Sequence, residues 1–217
     1  MPPIEEIKEK IEEYNKHPEW LALDKLTGEI FNSEGDTYNV AKQVLIISRE
    51  WKGLQGEAVR YEKQFLENIT GYWNEITLNI IRIPLTNNNI EEIIDKMNNL
   101  WDLFFRNING EYSVFFSKFL HWLAPETFPI TDKNSRKILH IYYDYVEENL
   151  PARDKYEKVI RAYGELIDNL ENEDANILTQ LVDYDYQTQI LYPLLQRINT
   201  PLRVLDKWLW LKRPDNV

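Results

Sequence analysis

The chain has 217 residues, of which 43% are hydrophobic and 13% aromatic, with no cysteine and a formal net charge of −11. That apolar content offsets the entropy of ordering a chain of this length and excludes disorder. The missing cysteines exclude a disulfide framework, a thiolate metal site and a thiol nucleophile, and they fit a reducing cytoplasm.

The opening MPPIEEIKEKIEEYN is charged and amphipathic, unlike an apolar signal segment. Pro2 and Pro3 stand where prolines open a helix, and Ile4, Ile7, Ile11 and Tyr14 follow at helical spacing. LDKLTGEIFNSEGDTYN, with Gly28 and Gly35, reads as turns or one short hairpin near 23–37. A helix resumes at NVAKQVLIISREWKG and another covers about 56–69; GYWNEITLNIIRIP is either strand or buried helix. The asparagines at 87–89 cap a helix whose apolar residues Ile90, Ile93, Ile94, Met97, Leu100, Trp101 and Phe104 keep the i, i+3, i+4, i+7 rule. Further helices are expected near 113–123, 133–149, 153–170, 175–197 and 201–211. The expectation is an all-α protein of about eight to ten helices. It forms one domain over 1–217, with lobes 1–110 and 111–217 as an allowed subdivision. No run of 18 apolar residues offers a membrane span.

The charge is unevenly spread. Residues 1–36 carry ten acids against four bases, and 143–185 carry twelve against four. Two islands are basic: Lys118, Lys133, Arg136 and Lys137 within 112–141, and Arg197, Arg203, Lys207, Lys212 and Arg213 within 197–213. They either meet in space or lie on opposite sides. The overall acidity argues against broad binding to a phosphate backbone. Carboxylates arrayed along helices suggest, as an alternative function, an acidic interaction protein that imitates nucleic acid to a basic nucleic-acid-binding partner.

SVFFSKFLHWLAP is nearly all apolar. At roughly 100° per residue, Ser113, Ser117, Lys118 and His121 share an arc of about 140°. A stripe of that kind on a central helix must face a cleft, water or buried partners. Lys118 then reads as a desolvated amine with a lowered pKa, suited to nucleophilic attack. It reads equally as a snorkelling lysine, with His121 a satisfied core histidine. In TDKNSRKIL, Asp132 or Thr131 reads as an N-cap.

Together, TFPITDKNSRKIL and the preceding helix resemble the helix-hairpin-helix DNA glycosylases, a family with the 8-oxoguanine glycosylase fold. Phe128, Pro129, Ile130, Asp132 and Asn134 match the segment that carries that family's catalytic aspartate. The resemblance implies N-glycosidic bond cleavage, with Lys118 attacking the anomeric carbon or assisting water and Asp132 stabilising the oxocarbenium charge. It implies a flipped base against His121, Trp122 and Phe128, phosphate contacts from Asn134, Arg136 and Lys137, and a nucleic acid or nucleotide as partner. No cofactor or metal is implied. The chain departs from the pattern where the family carries a glycine-rich hairpin; it has NGEYSVFFS there, with Gly110 alone. A relic that kept the fold without the activity is the third reading.

The remaining motifs are weaker. His140 and Asp144 stand one turn apart, as a surface pair or a partial metal site, and Asp183 and Asp185 lie in a polar, tyrosine-rich stretch. TPLRVLDKWLWLKRP reads as a docking helix whose bases decorate its outer face.

Overall fold

A computed structural model describes residues 2–32, 37–110, 112–143, 150–189 and 199–212. Eleven α-helices and no strand occur among them: α1 Ile4–Asn15, α2 Pro18–Asn32, α3 Thr37–Leu45, α4 Glu62–Gly71, α5 Trp73–Asn79, α6 Ile90–Phe104, α7 Ser113–Leu123, α8 Lys133–Tyr142, α9 Ala152–Glu173, α10 Ile177–Thr188 and α11 Pro201–Leu211. The all-α expectation holds, with one more helix than the upper end of the expected range.

Two segments account for the difference. Residues 18–32 form α2 where a hairpin near 23–37 is expected; residues 33–36 lie outside the described residues. Gly28, which reads as a turn residue, is instead buried inside the helix. Thr27 supports the same turn, its hydroxyl donating to the Leu23 carbonyl at 2.7 Å. The ambiguous GYWNEITLNIIRIP opens with the short helix α5, whose Ile76 is fully buried. Tertiary burial overrides the β-branched and glycine propensities in both places.

α7 is the central element. Phe115, Phe116, Phe119 and Leu120 have no exposed surface, and Ser117 and His121 are buried with them. Aromatic contacts radiate from it: Phe115 to Phe65, Phe116 to Trp101 and Tyr156, and Phe119 to Phe31 and Phe104. All seven apolar positions read for α6 are buried. α1 packs against α10 and α11, so the two ends of the described chain meet.

α11 corrects the expectation for its charges. Arg203 is 2% exposed and Lys207 1% exposed, so its bases turn inward. Buried acids receive them: Asp24 and Asp206 for Arg203, and Asp185 for Lys207. Glu6 receives Lys212, which is also buried. A cation enters a core only with such partners, because an unpaired one costs several kcal/mol.

Candidate functional site

The site is assembled by how the chain after α7 is stitched back onto that helix. The backbone N–H of Thr131 donates to Ser117 Oγ at 3.1 Å, and His121 Nδ1 donates to the Phe128 carbonyl at 2.8 Å. Tyr156 holds the Pro129 carbonyl from α9 at 2.8 Å. Three anchors therefore lay residues 128–131 along α7. The next residue, Asp132, comes to the α7 face that carries Lys118, one position past Ser117. Asp132 then caps α8: its Oδ1 accepts the Ser135 N–H at 2.8 Å, and the Ser135 hydroxyl accepts the Asp132 N–H at 2.9 Å. It is a helix cap and a site candidate at once.

Lys118 and Asp132 both line a cavity of about 800 Å³. Its aromatic wall includes Tyr14 from α1, Trp20 from α2, Trp51 and Trp210, drawn from three separate stretches of the chain. Trp20 meets Trp210 edge-on with ring centres 4.6 Å apart. Six bases line the cavity (Lys52, Lys118, Lys133, Arg136, Lys155 and Arg203) against three acids, Glu50, Asp132 and Asp206. The two basic islands therefore meet: Lys118, Lys133 and Arg136 come from the first and Arg203 from the second.

The turn before the cavity is unusual in geometry. Ile46–Glu50 forms one π-helical turn, and Lys52 takes a left-handed backbone with φ of 50°. Such turns and left-handed non-glycine residues concentrate at functional sites, where packing holds them. Gly53 lies so close to the core that a Cβ there would sit 2.8 Å from the Ile47 carbonyl oxygen and 3.2 Å from Phe115 Cα. The result aims the Trp51 carbonyl at Lys118, whose Nζ donates to it at 2.6 Å. Trp51 is fixed at its other end, with Nε1 donating to Thr27 Oγ1 at 2.8 Å.

Burial lowers the pKa of Lys118; Asp132 and Asp206 act against that, while Arg203 and Lys52 add to it. Beneath the cavity, Arg203 donates to Tyr14 Oη at 2.6 Å and Asp24 Oδ1 at 2.7 Å, and pairs with Asp206. Its guanidinium lies 5.1 Å from the Trp51 ring centre. Asp206 is pushed up to about 6, chiefly by burial, against the opposing pull of Arg203.

The other residues singled out in the sequence divide cleanly. Asn134 and Arg136 line the cavity. Lys137 is exposed and does not line it. His121 and Trp122 of α7, and Phe128, are buried and do not line this cavity. Burial drives His121 down to about 3, and its Nε2 has no hydrogen-bond partner among the described residues. Asp185 is fully buried and grips Lys207 with both oxygens at 2.8 Å, a structural role that spends its carboxylate. His140 is exposed, and Asp144 lies outside the described residues. No group of three metal-ligating side chains occurs among the described residues, and none of the described helices is long and apolar enough to cross a membrane.

Family models, characterised proteins and solved structures give no match to this chain.

Sequence reasoning missed most of the cavity wall. Arg203 and Asp206 sit in a segment that reads as an amphipathic docking helix, and Trp51 and Tyr14 sit in ordinary helical patterns. The one available signal was the pairing of basic residues with an aspartate inside the apolar run PLRVLDKWLW.

Proposed function

We propose that the cavity takes a nucleic-acid base or a modified nucleotide and that the protein cleaves its N-glycosidic bond. One observation carries the reading: Lys118, an amine whose proton is loosened by burial, shares an aromatic-walled cavity with Asp132. In this reading the Lys118 amine attacks the anomeric carbon, and the Asp132 carboxylate offsets the positive charge that develops on the sugar. The volume of about 800 Å³ suits a ligand of nucleotide size. Tyr14, Trp20, Trp51 and Trp210 supply faces for stacking a base removed from its helix. Lys52, Lys133, Arg136 and Lys155 at the cavity give the charge a phosphate needs.

The resemblance to helix-hairpin-helix glycosylases supports the roles of Lys118 and Asp132. The base contacts move from His121, Trp122 and Phe128 to the cavity aromatics. The charge around Lys118 favours this reading over acidic mimicry, which needs a carboxylate ridge as the working surface. The reading sets the protein to work in the cytoplasm, on nucleic acid or free nucleotides.

The test uses single-stranded and duplex oligonucleotides, and free nucleosides, each carrying one oxidised, alkylated or deaminated base. Release of the base, and a borohydride-trapped covalent adduct that maps to Lys118, are expected. Both disappear in Lys118→Ala. An adduct or base release that survives Lys118→Ala removes the assignment.

A further inference from the structure

Two carboxylates reach Lys118 electrostatically, and the fold gives them different surroundings. Asp132 stands at the N-terminus of α8 and is committed to the Ser135 N–H, a position that suits a fixed negative charge. Asp206 stands mid-way along α11, is 5% exposed and lines the same cavity. One of its oxygens is held by Arg203 from the preceding turn of the helix. Among the described residues the acceptor for Lys118 is a neutral one, the Trp51 carbonyl, so its proton is not locked into a direct ion pair with any of them.

We infer that Asp206 is the acid–base group of the site, taking the Lys118 proton before attack and returning it to the departing base. This rests on the glycosidic-cleavage reading and assigns the proton transfers within it. The Lys118 ammonium gives one proton to the Asp206 carboxylate, leaving a neutral amine and a neutral acid. The amine lone pair forms the bond to the anomeric carbon as the carbon–nitrogen glycosidic bond breaks, its electron pair passing to the base. Asp206 then protonates that base nitrogen. The products are a lysine–sugar ammonium, a neutral base and the Asp206 carboxylate, so protons and charge balance.

The surroundings fit the role. Burial, with Asp132 and Asp24 nearby, raises the Asp206 proton affinity, while Arg203 and Lys118 hold it in check, leaving it near 6. A group so placed both accepts and donates at neutral pH, and two carboxylates pushed apart by environment commonly divide such roles. The two phenols coupled to Asp206 are unsuited to the transfer. Tyr163 on α9 and Tyr14 on α1 are both buried, with affinities raised well above the usual phenol range.

The deciding experiment measures base release against pH for the wild type, Asp206→Asn and Asp206→Glu. In parallel, formaldehyde and cyanoborohydride label Lys118, read by peptide mass spectrometry. Asp206→Asn removes a negative charge, so the amine becomes at least as reactive toward formaldehyde. Base release nevertheless falls by about 100-fold or more and loses its acidic limb. Asp206→Glu restores part of the rate with the limb displaced. A merely structural or electrostatic role predicts that labelling and base release change together. Base release by Asp206→Asn within a few-fold of wild type, on an unchanged pH profile, overturns the inference and leaves Lys118 in place. A wild type that releases no base from the whole panel overturns the cleavage reading and the inference with it. Should Asp206→Asn fail to fold, an undisplaced acidic limb in Asp206→Glu overturns the assignment by itself.

Discussion

Lys118 donates its 2.6 Å hydrogen bond to the backbone carbonyl of Trp51, 67 residues earlier in the chain, and to no carboxylate among the described residues. A lysine balanced this way keeps its ammonium only as far as distant charges outweigh its burial. Lys118 therefore reacts with formaldehyde and cyanoborohydride at a lower pH than the exposed lysines of the protein. Lys52→Glu replaces a repelling charge with an attracting one and shifts that reactivity to higher pH. Peptide mapping over pH 6–10 reads both; equal reactivity of Lys118 and the exposed lysines would show that burial does not loosen its proton.

The tight turn before the cavity makes Gly53 a sensitive position. A methyl group there meets two backbone atoms, the Ile47 carbonyl oxygen and Phe115 Cα, neither of which is the end of a flexible side chain. Gly53→Ala is expected to cost about 1–3 kcal/mol in urea unfolding, the usual range for overpacking. It also displaces the Trp51 carbonyl, so Lys118 labelling changes in the folded variant. Gly71, with open space around it, serves as the control.

Asp185 and Lys207 form a fully enclosed pair that ties α10 to α11, with Asn15 of α1 donating to Asp185 at 2.8 Å. Removing one partner leaves the other charge buried alone. Asp185→Asn should therefore lose about 3–5 kcal/mol of stability, while a joint Asp185→Leu, Lys207→Met replacement loses much less. Chemical denaturation of the two variants decides it; equal losses in the single and joint variants contradict the account.

His121 and Asp206 impose opposite pH dependences on stability. The folded-state affinity of His121 is depressed to about 3 from an ordinary 6.5, so the unfolded chain binds its proton first as pH falls. Stability is lost from pH 6.5 down to about 3, at roughly 1.4 kcal/mol per pH unit. Asp206 is raised to about 6 from 3.8, so the folded chain binds its proton first and stability is gained from pH 6 down to about 4. The two offset each other between pH 4 and 6, and the His121 loss stands alone below that. His121→Asn should therefore destabilise less at pH 5 than at pH 7. A destabilisation independent of pH would mean that His121 is not held neutral.

The helices, and the identity of Lys118 and Asp132 as candidates, were legible because both are local. Apolar spacing alone marks the buried faces of α1 and α6, and the Asp132–Ser135 cap involves residues three apart. α2 reads as part of a hairpin because its glycine, asparagine and aspartate carry the turn signal, while the helix is decided by what covers it.

Everything that makes the cavity is long-range. A one-dimensional pattern records that Arg203, Asp206 and Lys207 are charged, and charge by itself predicts an outer face. Only the arrival of α1, α2 and α10 beside α11 supplies Asp24, Tyr14 and Asp185, which turn three exposed charges into buried ones. His121 and Lys118 lie three residues apart in one polar stripe, yet one is sealed against Phe128 and the other opens on the cavity. The packing of residues 128–131 over Ser117 and His121, and of Trp51 beside Lys118, decides which is which. The sequence by itself determined the helices other than α2 and α5, and the residues able to do chemistry. The tertiary structure decided which of them meet, because burial and partner charge are properties of the assembled core.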